Sequence, residues 1–259
     1  MKDDILINYT VTDRVALITI NRPAQKNALD ISTLRDMDAA LVNADTDETV
    51  RVVVITGAGD AFCAGADLAA RDTPASPVEV IEQYYKPVFL RIRELSKPVI
   101  AAVNGAAAGG GSALALVCDL SIMAQDAYLL LAFSNLGLVP DCGANWLLER
   151  AIGARRAYQV AIEGRRIGAD ECLTLGLTNK VESADRLLSS ALAWARQLSE
   201  RAPLSLSLTK KLIHQSAGSG YSEIVSLEGE MQELCMRSDD FREGVTAFFE
   251  KRKPSFQGS

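Results

Sequence analysis

The chain has 259 residues, 48% hydrophobic and 23% charged, enough to bury a sizeable core in one domain or one and a half. Its formal net charge of −6 argues against a general nucleic-acid or anionic-membrane partner. A single histidine, His214, can build neither a zinc site nor a Ser-His-Asp triad, so no metal centre and no such triad is expected.

The five cysteines (Cys63, Cys118, Cys142, Cys172, Cys235) include no C-x-x-C pair and read as buried free thiols in a reducing compartment. No signal-peptide pattern opens the chain, and no run reaches the ~20 apolar residues of a membrane span, so the expected location is cytoplasmic. Residues 5–9 and 15–20 read as two short strands joined by a turn at Thr12-Asp13. Asn21-Arg22-Pro23 stops the second, and a polar loop runs to Leu29. Asp30 or Ser32 caps a helix to about Val42, with Leu34, Met37, Ala40 and Leu41 at helical spacing. A buried strand at 51–56 leads into a glycine-containing loop, and 69–79 read as a connector or a lid. A helix over 79–95 carries Tyr84, Tyr85 and Phe89, which suit either the core or a pocket wall.

The apolar strand 98–103 is broken by Asn104-Gly105, then follow three alanines, three glycines (Gly109, Gly110, Gly111) and an apolar helix ending near Cys118. A further strand spans Leu120–Ala124, and 128–134 continue as apolar chain. The run LGLVPD ends at Asp141, after which Cys142–Trp146 open a helix. Helices at 153–163 and 168–175 are separated by a basic turn at Arg165-Arg166, and a strand lies near 178–182. From Ala184 the pattern is helical (184–200, 203–216, 221–237, 239–252), with apolar stripes that need a partner surface. The alternation predicts an α/β spiral core over 1–199 and a C-terminal helical region over 200–259.

A strand feeding a glycine-rich turn that opens a helix exposes unpaired N–H groups where the helix dipole favours negative charge. Alone, the Gly109–111 run serves equally as a packing site. The second unit, 52–68, tips the reading: two β-to-turn units can each aim one N–H at a shared oxygen, which is an oxyanion hole. Other glycine motifs fail on detail. Gly111 is followed by Ser112 and Ala113 rather than the Lys of a P-loop, and Phe62 stands where a dinucleotide loop needs its third glycine.

Five motifs in order, NRPAQKNAL (21–29), FCAGADL (62–68), KPVIAAVNGAAAGGGSALALVCDL (97–120), LGLVPD (136–141) and FFEKRK (248–253), resemble the crotonase (enoyl-CoA hydratase/isomerase) superfamily. The resemblance implies a ββα spiral, a coenzyme A thioester as substrate with no permanently bound cofactor, and assembly as a homotrimer or dimer of trimers. By position it implies that the N–H groups of Ala66 and Gly110 hold the thioester oxygen. Ala64, Asp67 and Leu68 would line the CoA, Arg22 would meet a phosphate, and Phe248 with Lys251 would reach the nucleotide end.

Hydratases of this family use two glutamates, and the corresponding positions here are Ala113 and Ala132, neither of which can move a proton. Asp141 remains. From the residues alone it reads as a helix N-cap. The resemblance instead matches it, within PD-x-G-x-x-W, to the single catalytic acid of enoyl-CoA isomerases such as the epoxyphenylacetyl-CoA isomerase type. The expected reaction shifts a double bond from 3-enoyl-CoA to 2-enoyl-CoA. The rivals are hydration of a 2-enoyl-CoA, a hydrolase or dehalogenase with Asp141 as nucleophile, and a non-catalytic acyl-CoA-binding relative.

Overall fold

The computed structural model describes residues 5–70 and 76–259. Two sheets share the strands. The larger runs β1 (Ile7–Thr12), β2 (Val15–Ile20), β3 (Val52–Gly57), β5 (Val99–Val103), β7 (Leu120–Ala124), β10 (Lys180–Glu182), parallel except for the β1–β2 hairpin. The smaller runs β4 (Ala61–Cys63), β6 (Ala106–Ala108), β8 (Tyr128–Leu130), β9 (Arg166–Gly168), with β9 antiparallel to β8. Three times, as β3–β4, β5–β6 and β7–β8, the chain places a strand in the large sheet, turns, and places a short one in the small sheet before the next helix. That repeat is the ββα spiral expected from the motifs. β3 and β5 are buried at every residue, as parallel strands covered on both faces must be.

Helices cover the sheets. α1 (Ile31–Thr46) starts at Asp30, whose carboxylate accepts from Thr33 N at 2.7 Å, so Asp30 rather than Ser32 is the cap. α4 (Gly110–Val117) is apolar apart from Ser112 and accordingly sits in the core. α6 (Ala169–Leu175) follows β9, and α7 (Leu187–Ser199) packs across β2, β3, β5 and β7 through Leu187, Ala191 and Ala195. Beyond it come α8 (Pro203–Ser216), α9 (Tyr221–Arg237) and α10 (Asp239–Glu250); α8 and α9 bury no residue completely. Lys210 fastens α8 to the core, its Nζ donating to Asp119 Oδ2 at 2.8 Å and to the Ile92 carbonyl at 2.9 Å.

Several expectations shift. The hairpin turn lies at Asp13-Arg14 rather than Thr12-Asp13: Thr12 pairs with Val15, and φ of 51° and 65° make the two-residue turn whose twist suits the strands. The basic turn expected at Arg165-Arg166 is partly strand, because Arg166 begins β9 and stacks 4.4 Å over the Tyr128 ring. The helix expected over 79–95 starts at Pro77 as α2 (Pro77–Val80), widens into a π-turn at Ile81–Tyr85, and continues as α3 (Lys86–Glu94). Pro87 explains the widening, since it lacks an N–H and crowds the carbonyl one turn back. Helix α5 (Ala144–Glu163) breaks at Gly153, φ 76° and ψ 157°, which separates the piece opening after Asp141 from that at 153–163. Of the loop expected at 69–79, residues 71–75 lie outside the described residues.

Candidate active site

Both loops are tied to the sheet by side chains that sequence reasoning did not single out. Asn27, fully buried, donates to the carbonyls of Ala61 (2.7 Å) and Ala58 (2.9 Å) and accepts from Arg22 N at 2.9 Å. Asn104 donates to the Gly59 carbonyl at 2.9 Å and accepts from Gly57 N at 3.2 Å. Ser112 stitches α4 to the small sheet through the Ala107 carbonyl (2.7 Å) and Leu130 N (3.1 Å). The signal was present in each case: a polar residue inside an apolar run must find partners when buried.

Leu29 forms a one-residue parallel bridge to Ala66, accepting from Asp67 N at 3.0 Å and donating to the Gly65 carbonyl at 2.7 Å. That pattern satisfies the neighbours of Ala66 and leaves its own N–H without an acceptor among the described residues. Gly110 is the first residue of α4, and its N–H also has no intrahelical partner. The two loops meet closely. A Cβ on Gly65 would lie 3.0 Å from Gly110 N, and one on Gly111 would lie 2.0 Å from the Cys63 carbonyl oxygen. Only glycine permits this approach.

Ala66 and Gly110 line a cavity of about 410 Å³, together with Ala64, Asp67, Leu68, Tyr85, Ala132, Phe133 and Asp141. Ala113 is fully buried in α4. Three carboxylates face this space, Asp30, Asp67 and Asp141. Two of them are engaged by Arg22, whose Nη2 lies 2.8 Å from Asp67 Oδ2 and 3.2 Å from Asp30 Oδ2, with the Arg22 and Asp67 side chains each 12% exposed. Arg22 foremost holds the Asp67 carboxyl below its usual range. Arg22 thus makes a buried brace and presents no free fork to a phosphate.

Asp141 differs. It has no ion-pair partner among the described residues, and burial raises its pKa above the ordinary carboxylate value, against a smaller opposing effect of the Cys142 thiol. Nor is it a cap: Gly143 occupies the N-cap position of α5, and no side chain caps that helix. Cys142 itself is left-handed, φ 52°. Tyr85 stands in the same wall, its hydroxyl donating to the Leu29 carbonyl at 3.3 Å, and burial pushes its pKa up. The arrangement can hold an anion-forming oxygen between two N–H groups and move a proton with one carboxyl group.

Phe248 and Lys251 are not brought to this cavity. Phe248 is exposed near the end of α10, and Lys251 ends that helix in a left-handed conformation. Among the described residues no helix is long and apolar enough to cross a membrane, and no cluster of side chains could hold a metal ion.

The chain is 39% identical to a 1,2-epoxyphenylacetyl-CoA isomerase of Escherichia coli, over 94% of this chain and 95% of that one. It is 37% identical to a probable enoyl-CoA hydratase of Rhodobacter capsulatus, over 97% and 98%. A crystal structure of an enoyl-CoA hydratase from Bacillus anthracis superposes with a TM-score of 0.94 at 33% identity, over 98% of this chain and 100% of that one. The family model for enoyl-CoA hydratase/isomerase matches residues 10–259. With the spiral, the paired glycine loops and these relatives in agreement, the chain belongs to the enoyl-CoA hydratase/isomerase family of the crotonase superfamily.

Proposed function

We propose that the protein is an enoyl-CoA isomerase that converts a 3-enoyl-CoA into the conjugated 2-enoyl-CoA. The observation that carries this reading is the isolation of Asp141: of three carboxylates facing the cavity, it alone has no cation beside it among the described residues. The N–H groups of Ala66 and Gly110 receive the thioester oxygen. The Asp141 carboxylate takes the C2 proton, and the C2–H electron pair moves into a dienolate whose charge rests on that oxygen. The same carboxyl group then returns the proton at C4, the carbonyl re-forms, and the double bond lies between C2 and C3. A base raised by burial suits this work, because its proton affinity approaches that of the enolised carbon.

Ala64, Asp67 and Leu68 would carry the CoA arm along the first loop, with the nucleotide end extending beyond the cavity. Residues 200–259 would serve as the assembly region of a homotrimer or dimer of trimers. The apolar side chains Val225, Leu234, Met236, Phe248 and Phe249 stay exposed there. The test is a paired assay of purified protein with a 3-enoyl-CoA and with crotonyl-CoA. Conjugation of the first with little hydration of the second supports the isomerase. Hydration of crotonyl-CoA as the dominant turnover contradicts it in favour of a hydratase.

A further inference from the structure

One side chain reaches both glycine loops. Tyr85 ends the π-turn Ile81–Tyr85, is buried, and lines the cavity. Its ring packs beside Phe89, centroids 6.3 Å apart and planes inclined at 46°. At its far end the hydroxyl donates to the Leu29 carbonyl at 3.3 Å, inside the protein. That carbonyl also accepts from Asp67 N at 3.0 Å, and Leu29 N donates to the Gly65 carbonyl at 2.7 Å. The two backbone bonds bracket Ala66, so the phenol holds the strip against which the first loop is registered. On its other flank, ring Cε1 lies 3.7 Å from where a Cβ on Gly110 would stand, beside the residue that supplies the second N–H.

We propose that Tyr85 is a positioning residue for the oxyanion pair: its hydroxyl anchors Leu29 while its ring backs Gly110, which fixes the spacing and aim of the Ala66 and Gly110 N–H groups. The role rests on those two groups receiving the thioester oxygen. Such donors stabilise a developing anion only if they are already aimed at it, because turning them during the reaction consumes the gain. The first loop needs this help. It meets Leu29 through a bridge of a single residue, Leu29 to Ala66, whereas Gly110 is fixed at the start of a buried helix. A hydroxyl from another element ties that bridge to the wall of the cavity. Tyr85 moves no proton itself: burial pushes its pKa up, so it stays neutral, and its one hydrogen is directed to Leu29. A tyrosine that only lined the acyl pocket would affect how substrate binds, whereas one that sets the donors affects how fast bound substrate reacts.

The experiment measures kcat and KM with a 3-enoyl-CoA, and the infrared stretch of the thioester carbonyl in bound hexanoyl-CoA, for the wild type, Tyr85→Phe and Tyr85→Leu. Hexanoyl-CoA has no double bond to shift, so it reports the ground-state polarisation alone. Phe keeps the ring and its packing on Phe89 and removes only the donor, so the decision rests on this variant, with its fold verified by its melting curve. In Tyr85→Phe kcat should fall about 3–10-fold with KM unchanged. In Tyr85→Leu, which also removes the backing of Gly110, the fall should reach about 10²-fold. The carbonyl stretch, lowered in the wild type by two donors, should return toward that of free hexanoyl-CoA in the same order. Wild-type kcat and an unmoved stretch in Tyr85→Phe overturn the proposal, as does a change confined to KM, which is the behaviour of a pocket wall. A wild-type protein that polarises the carbonyl without isomerising a 3-enoyl-CoA overturns the isomerase reading alone, and the stretch still decides the role of Tyr85. A wild-type stretch equal to that of the free thioester overturns the oxyanion assignment, and Tyr85 with it.

Discussion

Asp141 carries a measurable signature opposite in sign to that of Asp67. Its pKa is raised in the folded protein, so ionised Asp141 opposes folding: stability from this group is full below the unfolded value and is lost as pH rises through the folded one. Asp141→Asn should therefore melt at or above the wild-type Tm at neutral pH, by calorimetry, while a purely structural carboxylate would lose stability on replacement. Arg22 gives the opposite pattern. Arg22→Gln leaves Asp67 and Asp30 without their cation and should cost about 2–3 kcal/mol in urea unfolding. If Arg22 instead served a phosphate, KM for the CoA substrate would rise with stability unchanged. Cys63 and Gly111 show how tightly residues are matched here. Gly111→Ala drives a Cβ to 2.0 Å from a backbone oxygen, and a loss of about 3 kcal/mol is expected from the same unfolding measurement.

Among the elements, the two glycine loops depend on paired strands and two asparagines. Asn104→Ala removes donors to Gly59 and Ala61 and the acceptor of Gly57 N, and should cost about 2 kcal/mol while lowering kcat more than it raises KM. The long strands and the helices were legible because their apolar periods are long: β3, β5 and α8 stand where the pattern places them, and α1 starts there but runs on past Val42 to Thr46. The short second sheet was not, since Ala61–Cys63 and Ala106–Ala108 have three residues each and no alternation to read. The π-turn had a signal in Pro87, which falls in the middle of the expected 79–95 helix, but a mid-helix proline does not by itself say whether the helix widens, kinks or ends. Asp141 was visible as an acid between an apolar run and a helix start. Its separation from the α5 cap depends on two consecutive left-handed residues, Cys142 and Gly143, which no local propensity announces.

The whole molecule joins a core that closes around two glycine loops to helices that do not bury their own apolar faces. Phe248 and Phe249 lie mostly exposed in an edge-to-face pair, ring centroids 5.6 Å apart. Sedimentation should give a mass of three or six chains, and Phe249→Glu should shift the protein toward smaller species. A wild-type monomer at micromolar concentration would contradict the assembly reading. The central claim, however, is that one carboxyl group works against two backbone N–H groups. The most direct measurement is kcat for isomerisation of a 3-enoyl-CoA by Asp141→Asn, in protein whose fold is verified by its melting curve. A fall of about 10²–10⁴-fold is expected, with Tm preserved or raised; isomerisation at the wild-type rate would contradict a single-acid mechanism.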